Sequence, residues 1–178
     1  MHTDILSFWF QDTAPQQWWQ VDPAFDALIA QRFGTLLQQA ARCELHGWRS
    51  TPQGRLAEVI VLDQFSRNVH RGTPLAFAQD PLALALAQEA VRQDAHLALT
   101  PTECSFLLLP FMHSESPAIH TEAERLYRDF APANNLDFEL RHKAIVDRFG
   151  RYPHRNAILG RSSTDEELAF LQTPGSSF

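Results

Sequence analysis

Three short stretches of this 178-residue chain combine acids, histidines and arginines at spacings that could do chemistry. In "LDQFSRNVHRG", residues 62–72, Asp63 falls on the helical face of Leu56, Val59 and Ile60. Arg67 and Arg71 follow on the same side at i+4 and i+8, with Asn68 beside them. A carboxylate on an apolar face is desolvated and must be paired or neutralised. Asp63 and Arg67 are therefore either a structural ion pair that fixes helix packing or part of a ligand site.

The second stretch, "PFMHSESP" (residues 110–117), runs an apolar helix into His113, Ser114, Glu115 and Ser116. Pro110 should kink that helix or mark its last turn. Ser116 suits the cap of a helix starting at Pro117, but His113 and Glu115 exceed what capping requires. A histidine near a carboxylate can act as a tuned acid or base. The third stretch, "RFGRYPHRNAILGR" (residues 148–161), holds four arginines, one histidine, one asparagine and no acid. Basic side chains here could simply cap the carbonyls of a helix ending at Gly150. Alternatively Arg151 or Arg155 reaches Asp63, with His154 and Asn156 lining a polar pocket. Pro153 would hold such a loop by restricting itself and Tyr152.

Taken together, the three stretches define a candidate site for a small anionic molecule, with hydrolytic or group-transfer chemistry as the associated reaction class. His154, His113 and Glu115 are its candidate acid–base groups. Asp63, Arg67, Asn68, Arg151, Arg155 and Asn156 are its candidate ligand-binding groups, since guanidinium forks suit carboxylate and phosphate. No nucleophile elbow, P-loop or dinucleotide fingerprint narrows the reaction. A fourth pattern, Glu139-x-x-His142, is half of a di-iron motif whose second half is missing. It is read as a solvated helix face, and neither a metal nor a cofactor is expected.

The elements that must position these groups are helical. Six prolines follow a capping residue, at Asp22-Pro23, Thr51-Pro52, Thr73-Pro74, Asp80-Pro81, Thr100-Pro101 and Ser116-Pro117. A capping oxygen accepts orphan N–H groups while proline at the first helical position forfeits none, so each pair predicts a helix start. Thr100 with Glu103, and Thr164 with Glu167, also fit capping boxes. Helices are expected near 4–10, 74–79, 81–94, 101–112, 117–130, 136–149 and 165–171, besides two from Pro23 and Pro52. Gly47 is expected to end the first of those two. The second is apolar on nearly every side, at Val59, Ile60, Val61 and Leu62, which places it centrally. No alternating segment with a hairpin turn occurs. The expectation is one all-α domain over residues 1–178, of about seven to nine antiparallel helices.

Composition bounds the alternatives. With 44% hydrophobic and 20% charged residues the chain is globular, and at this length it should bury about 70% of its unfolded surface. The apolar run Phe106–Met112 is far short of the roughly 20 residues a membrane span needs. The first ten residues lack a basic segment and a small-residue cleavage site, so no secretory signal is read. Two cysteines without metal spacing fit a reduced cytoplasmic protein, a single disulfide being the weaker option. A net charge of −6 argues against general nucleic-acid binding. Residues 141–161 nevertheless carry six basic residues and one acid, leaving the rest of the chain at −11.

The blocks "ILSFWF", "DPAFD", "RFGTLL", "GRLAEVIVLDQFSRN", "RGTPLAFAQDPLALALA", "LLLPFMHSE", "RFGRYPHRNAILGR" and "PGSSF" together resemble the bacterial domain-of-unknown-function family 924. The likeness spans almost the whole chain. It departs at Ser66, where the family commonly has proline, and at His70, where a bulky apolar residue is usual. The resemblance implies a tetratricopeptide-like helical fold and carries over no reaction and no site residues. Helical repeats often hold peptides, so a protein- or peptide-binding scaffold without catalysis is the alternative.

Overall fold

The computed structural model describes residues 2–177, which are helices and turns with no strand among them. The chain opens with α1 (His2–Ser7), prolonged by a π-helical turn at Phe8–Asp12. Side-chain caps then set the starts of four helices. Asp22 accepts hydrogen bonds from the N–H groups of Ala24 and Phe25 to start α2 (Pro23–Ala41). Thr51 accepts from Gly54 N–H at α3 (Pro52–Ile60). After α4 (Ser66–Val69) and α5 (Asp80–Arg92), Thr100 and Glu103 form the reciprocal box of α6 (Pro101–Met112). α7 (Pro117–Phe130) and α8 (Ala133–Phe149) follow, and Thr164 with Glu167 boxes the start of α9 (Asp165–Leu171).

Two expectations about termini need correction. Thr73, Asp80 and Ser116 make no side-chain cap, and Asp80 lies inside α5 with its carboxylate turned to an arginine. α2 ends at Ala41, not at Gly47, which falls in the 3₁₀ turn His46–Ser50. The reversal is made by Cys43 at φ 58°, closed by Glu44 N–H donating to Gln39 O and Cys43 N–H to Ala40 O. Gly150 does take the left-handed terminal position expected of it, at φ 68°.

The helix from Pro52 is central, as its all-round apolarity requires. Leu56, Val59, Ile60, Val61, Leu62 and Phe65 are each at most 1% exposed. α1, α2, α5 and α6 pack around this segment. α6 then pairs with α7 and α7 with α8 across short connections, giving antiparallel neighbours. Phe8, Trp9, Phe25, Phe33, Phe65 and Phe106, all buried, interlock in the core beside the central helix. The central helix does not stop after Asp63: a π turn at Val61–Phe65 joins α3 to α4. Ser66 supplies the backbone N–H that proline at this position would lack. π turns insert an extra residue into a helix and recur at functional sites; this one carries Asp63. No helix among the described residues is long and apolar enough to cross a membrane. Both cysteines are free thiols, Cys43 exposed and Cys104 buried.

Candidate functional site

Asp63 is fully buried at the π turn, and three donors converge on it. His113, just past the end of α6, donates from Nδ1 to Asp63 Oδ1 at 2.8 Å. Arg67 Nη1 donates to the same oxygen at 3.2 Å and to the Asp63 carbonyl at 2.8 Å, and Gln64 Nε2 donates to Oδ2 at 2.6 Å. A carboxylate only accepts, so the imidazole proton lies on Nδ1 and Nε2 is left as an acceptor. Burial works to raise the Asp63 carboxyl, but Arg67 and His113 outweigh it and hold it well below the usual carboxylate range. Burial and the nearby Arg67 charge both push His113 down, so its ring is neutral at neutral pH.

Arg67 also forks onto Asp80 at 3.0 and 3.1 Å, and Asp80 is shared with Arg155. Arg155 is unusually placed. It is 6% exposed, its guanidinium lies over the rings of Tyr152 (4.5 Å) and Phe77 (4.8 Å), and its one hydrogen bond to an acid is the long 3.4 Å contact with Asp80. Its Nε is buried with no partner. Burial, then the like charge of Arg67, lowers its pKa.

The four arginines of residues 148–161 each meet an acid from another segment. Arg148 pairs with Glu166, Arg151 with Glu167, Arg155 with Asp80 and Arg161 with Glu115. Capping of the α8 carbonyls is not what they do. Tyr152, wholly buried, ties the stretch to the rest of the site. Its N–H donates to Glu115 Oε1 at 2.8 Å, its carbonyl accepts from Arg161, and its hydroxyl donates to Met112 O. Arg161 closes a bidentate pair with Glu115 at 2.6 and 2.9 Å and donates from Nε to Asn156. Glu115 is consequently held below its ordinary value: burial opposes, but Arg161 and the Tyr152 N–H prevail. His154 stacks obliquely on Tyr152, its ring centroid 5.5 Å away, and burial followed by Arg155 lowers it to about 4.

Of the nine residues singled out in the sequence, Asp63, Arg67, His113, Glu115, His154 and Arg155 lie in one cluster, and Asn156 joins its edge through Arg161 while its amide donates to Ser163 and Glu167. Two do not. Asn68 donates to Asp26 of α2, which Arg71 also grips, and Arg151 turns outward to Glu167 and the Ser162 carbonyl. Neither Arg151 nor Arg155 reaches Asp63, because Arg67 and His113 already occupy it. Asp80, Tyr152, Gln64, Phe77 and Arg161 complete the cluster and are not singled out by sequence reasoning. Asp80, standing before Pro81, looks like a cap, whereas Arg161 belongs to the basic stretch 148–161 and is itself a usable signal. The reading of Glu139 and His142 as a solvated face is overturned. Glu139 is 0% and His142 7% exposed, because α7 and Tyr152 cover that face. Among the described residues no group of three histidine, cysteine or acidic side chains could hold a metal.

This burial predicts acid sensitivity in two steps. His142 and His154 are lowered to about 3 and about 4, mainly by burial. As pH falls through 6.5 the unfolded chain takes up protons that the native rings refuse, so native stability declines. Asp63 and Glu115 are depressed too, so their contribution is full above about 5 and is lost as pH falls further. The melting temperature should drop progressively from pH 7 to pH 3; a flat profile over that range contradicts the assignment.

The model of the family described as "Bacterial protein of unknown function (DUF924)" matches residues 5–175. A solved structure, of the protein of unknown function ATU0120 from Agrobacterium tumefaciens, is 40% identical in sequence. It aligns with a TM-score of 0.91 over 96% of each chain. No curated protein matches. With the family pattern running through nearly every element that builds the cluster, the chain belongs to the DUF924 family of bacterial proteins.

Proposed function

We propose that the cluster binds a small anion, a carboxylate or phosphate, and that His113 can act as a base on it in hydrolysis or group transfer. The observation that carries the reading is Arg155. A buried guanidinium with five donors, one long contact to an acid and an unpartnered Nε has hydrogen-bonding capacity that an oxyanion would satisfy. Three acids (Asp63, Asp80, Glu115) balance three arginines (Arg67, Arg155, Arg161) in the cluster. An arriving anion therefore leaves one negative charge in excess, and protonation of His113 or His154 restores balance. Asp63 holds His113 by Nδ1, so Nε2 is the atom that accepts a proton from a nucleophile, and Asp63 steadies the resulting imidazolium. Glu115, with both oxygens engaged by Arg161, serves to hold the 151–161 segment.

Thermal melts in inorganic phosphate and in acetate, at fixed ionic strength, test this. A ligand at 100 times its dissociation constant stabilises by about 2.7 kcal/mol. Arg155→Met should abolish the shift; Asp80 keeps its fork on Arg67, so the loss of stability should lie at or below the lower end of the roughly 3–5 kcal/mol seen when one partner of a buried charge pair is removed. No shift with the wild-type protein, or an equal shift in Arg155→Met, defeats the reading.

A second reading, an interaction scaffold for a protein or peptide, is favoured by Trp19, which is 60% exposed beside Val21 at 72%. Exposed tryptophan is characteristic of binding hot spots. A scaffold would show no anion dependence and would lose its partner on Trp19→Ala.

A further inference from the structure

Beneath the cluster lies a second group that the proposed chemistry does not use. His120 of α7 and Glu139 of α8 are both 0% exposed and meet at 2.7 Å, His120 Nδ1 to Glu139 Oε1. His120 Nε2 faces the Ser114 carbonyl at 2.8 Å and the Tyr152 hydroxyl at 3.1 Å. The carbonyl can only accept. The hydroxyl has one hydrogen, already given to Met112 O, so toward His120 it accepts as well. Nε2 therefore carries a proton. That leaves two states for the pair: an imidazolium with an ionised carboxylate, or a neutral imidazole receiving a hydrogen bond from a carboxylic acid.

Glu139 Oε2 decides between them, because it is buried with no hydrogen-bond partner among the described residues. An ionised carboxylate spreads its charge over both oxygens, and leaving one dry and unpaired is far costlier than burying an acid carbonyl. We propose that Glu139 is a protonated carboxylic acid that donates to neutral His120, and that this pair is a positioning device for His113. His120 fixes the Ser114 carbonyl, and Tyr152, which His120 also contacts, fixes the Met112 carbonyl; the two flank His113. Asp63 orients the ring of His113 while the buried pair holds its backbone. The other charged or titratable groups that bear on Glu139 are Glu124 and Tyr127 of α7, Lys143 of α8, and Tyr152, while His142 of α8 bears on His120. Glu124 and Lys143 act in opposite directions, and burial raises the Glu139 carboxyl. The positioning role rests on the reading of His113 as a base, whereas the protonation state stands without it.

Glutamine mimics the protonated acid, with an amide N–H in place of the O–H, so Glu139→Gln is the central variant. The infrared difference between wild type and Glu139→Gln at pH 7 should contain the carbonyl stretch of a protonated carboxylic acid. The variant should melt close to wild type at pH 4.5 and become the more stable of the two as pH rises, because above that pH the unfolded wild-type chain gives up the Glu139 proton that the native chain retains. His113, followed by NMR, should titrate as in wild type in Glu139→Gln and shift in Glu139→Ala. A carboxylate band in place of the acid carbonyl, with Glu139→Gln as unstable as Glu139→Ala, overturns the neutral pair. An unchanged His113 titration in Glu139→Ala overturns the positioning role. If Glu139→Ala does not fold, Tyr152→Phe, which releases the Met112 carbonyl, replaces it for that measurement under the same criterion. Should phosphate fail to stabilise wild type while the acid band is present, the anion reading falls and the neutral pair stands.

Discussion

Asp63→Ala is expected to lose about 3–5 kcal/mol of stability, the range seen when one partner of a buried charge pair is removed. The carboxylate is fully buried and accepts from His113, Gln64 and Arg67, so its removal strands donors from two separate segments. Arg67 keeps its fork on Asp80, which places the loss toward the lower end of that range. His154→Ala gives the contrast. Its ring is partly exposed and leans on Tyr152, so truncation should cost about 1 kcal/mol or less while weakening anion binding. Urea denaturation with unchanged m-values measures both. Equal, small losses for the two variants would remove the basis for treating Asp63 as the buried anchor of the cluster.

Tyr152→Ala should be as damaging, at about 3–5 kcal/mol, the loss typical of truncating a large buried aromatic. Its ring supports Arg155 and packs near His120, His142 and His154. Tyr152→Phe isolates the hydroxyl. It keeps the packing, so the loss should fall to about 1–3 kcal/mol, set by the unsatisfied Met112 carbonyl. Folded Tyr152→Phe that still shows the phosphate-induced shift would assign the ring, and not the hydroxyl, to support of Arg155. A phenylalanine variant as unstable as the alanine variant would mean that the hydrogen bonds, not the packing, dominate at this position.

The site was legible wherever its contacts are local or its chemistry cannot be ignored. Asp63 on an apolar face had to be buried and paired, and Arg67 four residues on was within reach in any helix. His113, His154 and Arg155 lie near one another, but the internal wiring differs from what their spacing suggests: Arg155 meets Asp80, not Asp63. Asp80 shows why. Its position before Pro81 is indistinguishable in sequence from that of a capping residue, yet Arg67 is thirteen positions away and Arg155 seventy-five. Glu139 and His142 show the converse error, polar residues assigned to solvent because nothing in their own helix reports what covers them.

The sequence by itself determined the helical class, most helix starts, the left-handed stop at Gly150 and the central place of the helix from Pro52. These depend on caps, prolines and periodicity, which act within one or two turns. Tertiary structure alone decided which acid each arginine meets, that Tyr152 ties the 151–161 segment to α6, and that His120 and Glu139 meet in the buried interior. Periodicity identifies which face of a helix is buried but not which helix will cover it. A buried polar group takes its protonation state and partner from that cover, through interactions that reach across 19 to 75 residues of chain.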